Sequence, residues 1–232
     1  MRVSRFPWTP ALLAAGAGLL AASQWLVFAY APVEEVMGPI QKIFYIHLPL
    51  AWWGLVSFFV VFVCSIACLA KKEPAYDRTA RAAAEIGVLF TTLCLATGMI
   101  WGRRAWGVWW TWDPRLSTAL VMWFVYVAYL ILESLGTSPE RRRLVRSAVG
   151  IVAFLDVPLV FLSARMWRSI HPAVFASESG GLEPEMKLAA IFCTLAMGVF
   201  WLGLLLFRKT QLDQAFHIDR LLFRLEERGE QQ

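Results

Sequence analysis

The chain has 232 residues, of which 59% are hydrophobic and 17% charged, and its mean hydropathy is +0.57. Ordinary soluble domains are about 45–50% apolar and about 25% charged, so this composition excludes that class and places the chain among membrane proteins. The net charge of +5 is modest, and the four cysteines (Cys64, Cys68, Cys94, Cys193) form no Cys-x-x-Cys, which excludes a dithiol redox motif and a thioether-linked cofactor site.

Arg2 and Arg5 precede a first apolar run, residues 11–31, interrupted only by Ser23 and Gln24. About 20 apolar residues cross about 30 Å of hydrocarbon, so this run is a first span. Ala29, Tyr30 and Ala31 resemble a signal cleavage site. The run is longer than a typical h-region of about 7–15 residues and Pro32 follows it, so the span is read as uncleaved. Residues 32–48 are a polar interruption with Glu34, Glu35 and Lys42, closing on His47, Leu48 and Pro49. A second span covers about 50–70, followed by a basic segment with Lys71, Lys72, Arg78 and Arg81. A third span, about 83–100, runs into a stretch with five tryptophans, Trp101, Trp106, Trp109, Trp110 and Trp112, beside Arg103, Arg104, Asp113 and Arg115. The fourth span is about 115–135, and a loop with Arg141, Arg142, Arg143 and Arg146 follows. The fifth, about 148–164, contains Asp156 and Pro158; a polar loop then carries Arg168 and His171. The sixth is about 188–207, and a charged, helix-prone tail ends the chain. The fold expected is an all-α integral membrane protein with six transmembrane helices. Residues 1–210 form one membrane domain and residues 211–232 a cytoplasmic tail.

Fifteen of the 22 lysines and arginines fall on the side holding both termini, the 71–81 loop and the 136–147 loop. The positive-inside rule puts that side in the cytoplasm. An even number of spans separates His47, the tryptophan stretch and His171, so all three meet the opposite, outer face; His217 does not. Gly-x-x-x-x-Gly-Lys, Gly-x-Ser-x-Gly and His-Glu-x-x-His patterns are absent, which removes P-loop and common hydrolase readings.

Two imidazoles, a bank of indoles and several arginines at one membrane surface suit haem. Its iron takes histidine ligands, its plate is covered by aromatic rings, and its propionates are held by arginine forks. Zinc would want three or four ligands, and only two histidines share this face. Plainer readings compete. An aromatic belt accounts for one or two tryptophans per helix end. Asp113 reads as the N-cap of the fourth span, with Pro114 in the first helical turn. Arg103, Arg104 and Arg115 serve equally as headgroup anchors. Asp156 and Glu85 read as structural.

The stretch resembles the tryptophan-rich signature of haem-handling proteins in cytochrome c maturation: Trp101, Gly102, Trp106, Gly107, Trp109, Trp110, Trp112, Asp113, Arg115 and Leu116 fit it. Arg104 stands at the signature's proline and Ser117 at its closing threonine. Tyr45, His47, Pro49 and Trp52, with Ser163, Trp167 and His171, are similar to the two histidine segments of the CcmC family; Met166 replaces a tryptophan found there. The resemblance implies a bacterial inner-membrane protein that binds haem b at the outer face. It implies His47 and His171 as axial ligands. The cofactor-binding set also includes Trp101, Trp106, Trp109, Trp110, Trp112, Asp113, Arg103, Arg104, Arg115 and Arg168. It implies transfer of haem to the chaperone CcmE rather than enzymatic turnover, and CcmD, CcmA and CcmB as partners. The alternatives are a haem-attaching synthetase of the CcsA or CcmF type, or a structural membrane subunit without haem. The first is disfavoured because no histidine falls inside an expected span.

Overall fold

Proline and small capping side chains set where the helices begin. In the computed structural model, described for residues 8–134, 136, 138–167 and 182–229, the helices are α1 (Thr9–Trp25), α2 (Phe44–Lys71), α3 (Pro74–Trp106), α4 (Pro114–Ile131), α5 (Pro139–Ala153), α6 (Asp156–Met166) and α7 (Pro184–Gly229). Pro74, Pro114, Pro139 and Pro184 each open a helix, where the missing amide costs no hydrogen bond. Asp113 and Ser138 cap α4 and α5 by accepting from the Arg115 and Arg141 amides at 2.9 and 3.3 Å. Gly107, at φ 77°, ends α3 in the left-handed region that glycine adopts without strain.

Among the described residues, six stretches are long and apolar enough to cross a membrane: Thr9–Tyr30, Gly38–Lys71, Pro74–Trp106, Pro114–Ser134, Pro139–Ser163 and Pro184–Arg228. The described residues include no strand. Three details differ from the sequence reading. The second span begins earlier: a 3-10 turn at Gly38–Ile43 runs directly into α2, so His47 lies in the first turns of a helix rather than in a polar interruption. The fifth span is two helices, α5 and α6, broken at Phe154 and Leu155, just before Pro158. Pro158 has no amide to donate to the Phe154 carbonyl, which bonds the Val157 amide at 3.1 Å instead. Last, the sixth span and the tail are one helix of 46 residues, α7, which passes position 210 without a break. At 1.5 Å per residue it is about 70 Å long, more than twice the hydrocarbon thickness.

The bundle is built on the α2–α3 pair, with α5 and α7 also against α2, α1 against α7, and α4 against α3 and α6. Without a hydrophobic drive between helices in lipid, close approach depends on small residues. Ala80, Ala82, Ala83 and Ala84 supply them on α3. A side chain at Gly87 would strike the Phe58 ring, and one at Gly198 would strike Trp53.

One end of the bundle is tied by charge. Arg146 bridges Asp77 and Glu133; Arg81 pairs with Glu85 and Glu133 at 3.1 Å; Arg208 pairs with Glu85; and Arg78 and Lys209 share Asp213. The opposite end collects the starts of α2, α4 and α7 with the ends of α3 and α6. His47 meets Trp101 there, Thr118 Oγ1 lies 3.4 Å from Ser163 Oγ, and Leu48 and Leu182 line one cavity.

Candidate functional site

The site begins with a stripe on α3. Cys94, Thr97, Gly98 and Trp101 recur at i, i+3, i+4 and i+7, which puts them on one helix face. That face receives His47 from α2. The imidazole Nδ1 lies 3.0 Å from Thr97 Oγ1, and Cys94 Sγ lies 3.8 Å from both ring nitrogens. The ring meets Trp101 edge-to-face, with centroids 5.9 Å apart. Gly98 provides the clearance: a Cβ there would sit 3.1 Å from His47 Cε1. Pro49, two residues on, has no amide to donate to the Tyr45 carbonyl, so the helix is loosened where it carries the histidine.

The five tryptophans divide into two sets. Trp101 is 5% exposed and packs against His47 and Phe44, so it supports the histidine from below. Trp106 closes α3 and lies against Gly102. Beyond Gly107 the chain leaves the helix, and Trp109 and Trp112 are exposed, Trp112 to 79%. Trp110 is half-buried and meets Trp112 edge-to-face at 5.9 Å. A single water-exposed indole gains nothing by being large and apolar. Two beside each other, on a short non-helical segment, make an apolar surface open to a flat partner.

The polar residues have distinct surroundings. Asp113 is buried and caps α4. Arg103 donates to the Gly107 carbonyl, closing the last turn of α3. Arg104 is exposed beside it. Arg115 is half-buried, within electrostatic reach of Asp113 and Cys94. The indole nitrogens of Trp101 and Trp110 and the Thr111 hydroxyl are buried without a hydrogen-bond partner among the described residues. Such groups are costly unless something beyond the described residues satisfies them. Arg168 and His171 lie outside the described residues. In sequence they fall between Trp167, which follows α6, and Leu182, which precedes α7, and these two helices end and begin at this same end of the bundle.

A cavity of about 530 Å³ opens on a different face of α2, against α7, walled by Leu48, Trp52, Ile191 and Leu195 with Lys187. Helical rotation separates Leu48 and Trp52 from the His47 face, so this cavity and the histidine stripe are different surfaces.

The histidine, tryptophans and arginines at positions 47 and 101–115 are therefore at one end of the bundle. Sequence reasoning does not single out Thr97 or Gly98, and it treats Cys94 as a buried hydrophobe. The signal was their helical spacing ahead of Trp101. Haem fits what is present: an imidazole held at a helix end, exposed indoles and cations. Among the described residues no group of three or more His, Cys, Asp or Glu side chains could hold a bare metal ion.

The chain is similar to known proteins along most of its length. A family model described as "Heme exporter protein C" matches residues 2–218. The chain is 32% identical to "Heme exporter protein C" of Bradyrhizobium diazoefficiens over 196 residues, covering 82% of this chain and 73% of that protein. It is 30% identical to the protein of the same name from Haemophilus influenzae over 185 residues, 78% and 74% of the two chains. A "Putative cytochrome c biosynthesis ccmC-like mitochondrial protein" of Marchantia polymorpha is 29% identical over 203 residues, 87% and 86%.

Proposed function

The chain belongs to the heme exporter protein C family, and from that premise we propose that it holds haem b at the outer membrane face and hands it to the chaperone CcmE. Family membership with six membrane-capable helices makes it a multi-pass inner-membrane protein of the haem export system that serves cytochrome c maturation. Its role is transfer rather than turnover.

In this proposal His47 and His171 bind the iron from its two sides, and Trp109, Trp110 and Trp112 cover the porphyrin plate. Arg103, Arg104, Arg115 and Arg168 meet the propionates, with Trp101, Trp106 and Asp113 shaping the site. The observation that carries it is the placement of His47. Its ring is held by Thr97, Cys94 and Trp101 at the same end of the bundle as the exposed indoles. A half-buried histidine with a fixed ring is what a metal-ligating imidazole needs. Ligands drawn from two separate segments also allow release, since either one can let go while the other still holds. The other, ion-paired end and the tail 211–232 face the cytoplasm under the positive-inside rule. CcmD, CcmA and CcmB are the remaining partners proposed.

The test is the absorption spectrum of purified, haem-loaded protein. Wild type should show a bis-histidine haem spectrum. His47→Ala and His171→Ala should each lose it, whereas His217→Ala should keep it. A colourless wild-type preparation after haem loading, or equal loss from all three substitutions, refutes the proposal.

A further inference from the structure

We infer that Thr97 is a positioning residue: its hydroxyl fixes the His47 tautomer so that Nδ1 carries the proton and Nε2 carries the lone pair offered to iron. This rests on the reading of His47 as a haem ligand. The argument is one of hydrogen-bond accounting. A threonine hydroxyl has one proton and two lone pairs. Thr97 Oγ1 lies 2.9 Å from the Leu93 carbonyl and 2.9 Å from the Cys94 carbonyl, both on its own helix. A carbonyl oxygen only accepts, so the hydroxyl proton is committed there. Toward His47 Nδ1, at 3.0 Å, the oxygen can then only accept. Nδ1 must donate, and in a neutral imidazole the other nitrogen is then the basic one.

Fixing the tautomer also fixes the ring. Thr97 holds the Nδ1 edge, Cys94 lies at 3.8 Å from both nitrogens, Trp101 meets the ring edge-to-face, and Gly98 leaves the space the ring occupies. Metal-ligating histidines commonly donate their second ring N–H to an oxygen, and a carboxylate in that role raises the ligand's basicity. A threonine hydroxyl is neutral. It orients the ring without adding negative charge behind it, which suits a ligand that must later give up its cargo.

The tautomer can be read without haem. Nitrogen-15 histidine-labelled full-length protein in detergent, at a pH where the ring is neutral, gives separate ring-nitrogen patterns for the two neutral forms; loss of one pattern in His47→Gln assigns it. Wild type and Thr97→Ser should show His47 protonated at Nδ1. Thr97→Val, which keeps the shape and removes the acceptor, should shift it toward the Nε2 form. With haem bound, Thr97→Val should release haem to apomyoglobin about 10- to 100-fold faster, with Thr97→Ser near wild type. An Nε2-protonated His47 in the wild type, or a Thr97→Val protein with unchanged tautomer or unchanged release, overturns the inference. If His47→Ala holds haem as tightly as wild type, the ligand reading itself fails, and Thr97 has no role in haem binding whatever the tautomer.

Discussion

Gly98→Ala isolates the site from the fold. The new methyl carbon would sit 3.1 Å from His47 Cε1 and 3.7 Å from Nδ1. Carbon atoms in contact prefer about 3.5–4.0 Å, so the ring must retreat by about half an ångström. It is held by Thr97 at 3.0 Å, Cys94 at 3.8 Å and the edge of Trp101. Retreat therefore means an off-rotamer side chain, about 0.5–1.5 kcal/mol, and a stretched hydrogen bond worth about 0.5–1.5 kcal/mol when intact. Counting only part of each gives about 1–2 kcal/mol, a roughly 5- to 30-fold loss in haem retention. The helix itself should gain, since alanine is favoured over glycine by about 1 kcal/mol in a helix interior. The assay is haem release to apomyoglobin beside thermal unfolding of the same preparation. The expected result is faster release with an unchanged or raised midpoint. Wild-type release from Gly98→Ala would refute the claim that the His47 ring position matters to haem.

Other expectations separate binding from stability. Trp112→Ala should leave the unfolding midpoint almost unchanged, because the side chain is 79% exposed, and should weaken haem retention about 5-fold, the worth of one aromatic contact. Trp101→Ala, at 5% exposure, should instead cost about 3–5 kcal/mol of stability; equal unfolding midpoints for the two would contradict the division of the tryptophans. Arg146→Met should destabilise by about 3–5 kcal/mol because it strips the Arg146 ion pair from the buried Asp77, and adding Asp77→Leu should recover most of it. A double variant no better than the single would show that the charge pair is not the cause. In a cysteine-free background, Val36→Cys and Trp112→Cys should react with an impermeant thiol reagent from outside intact spheroplasts, and Glu73→Cys only after lysis; labelling of all three from outside sinks the proposed orientation.

Composition made the six spans legible because a bilayer demands about 20 apolar residues each time, and that demand is nearly independent of packing. It made the gathering of His47 with the tryptophan stretch legible too, because parity depends only on how many spans lie between. Details that depend on local hydrogen bonding were not legible. His47 looked like part of a polar loop because Glu34, Glu35 and Lys42 precede it, yet the 3-10 turn at Gly38–Ile43 lets the helix begin early. The break before Asp156 follows from Pro158, but a proline inside a span bends some helices and splits others, and only packing decides. Thr97 and Gly98 were invisible as site residues because threonine and glycine are common in transmembrane helices. Their role exists only once α2 sets an imidazole against them.

The two ends of the bundle are held by different physics, and the difference suits the proposed task. At one end Glu133 meets Arg81, Arg142 and Arg146, Glu85 meets Arg81 and Arg208, and Asp213 meets Arg78 and Lys209. These pairs link α3, α5 and α7 to one another and to the 3-10 turn after α4, and a half-buried charge with two or three partners has little freedom to leave. At the other end His47 and Trp112 are held by edge-to-face aromatic pairs and by a neutral hydrogen bond of Thr97 with His47, each worth about a kilocalorie. No single one of them commits the site to one occupant state. α3 runs through both ends, so the charged end can hold it against α5 and α7 while the aromatic end exchanges its ligand. A protein that retained haem permanently would gain from the reverse arrangement, with charged or carboxylate-backed contacts around the iron ligand. A neutral hydroxyl behind His47 and two exposed indoles are the arrangement expected of a carrier that must let go.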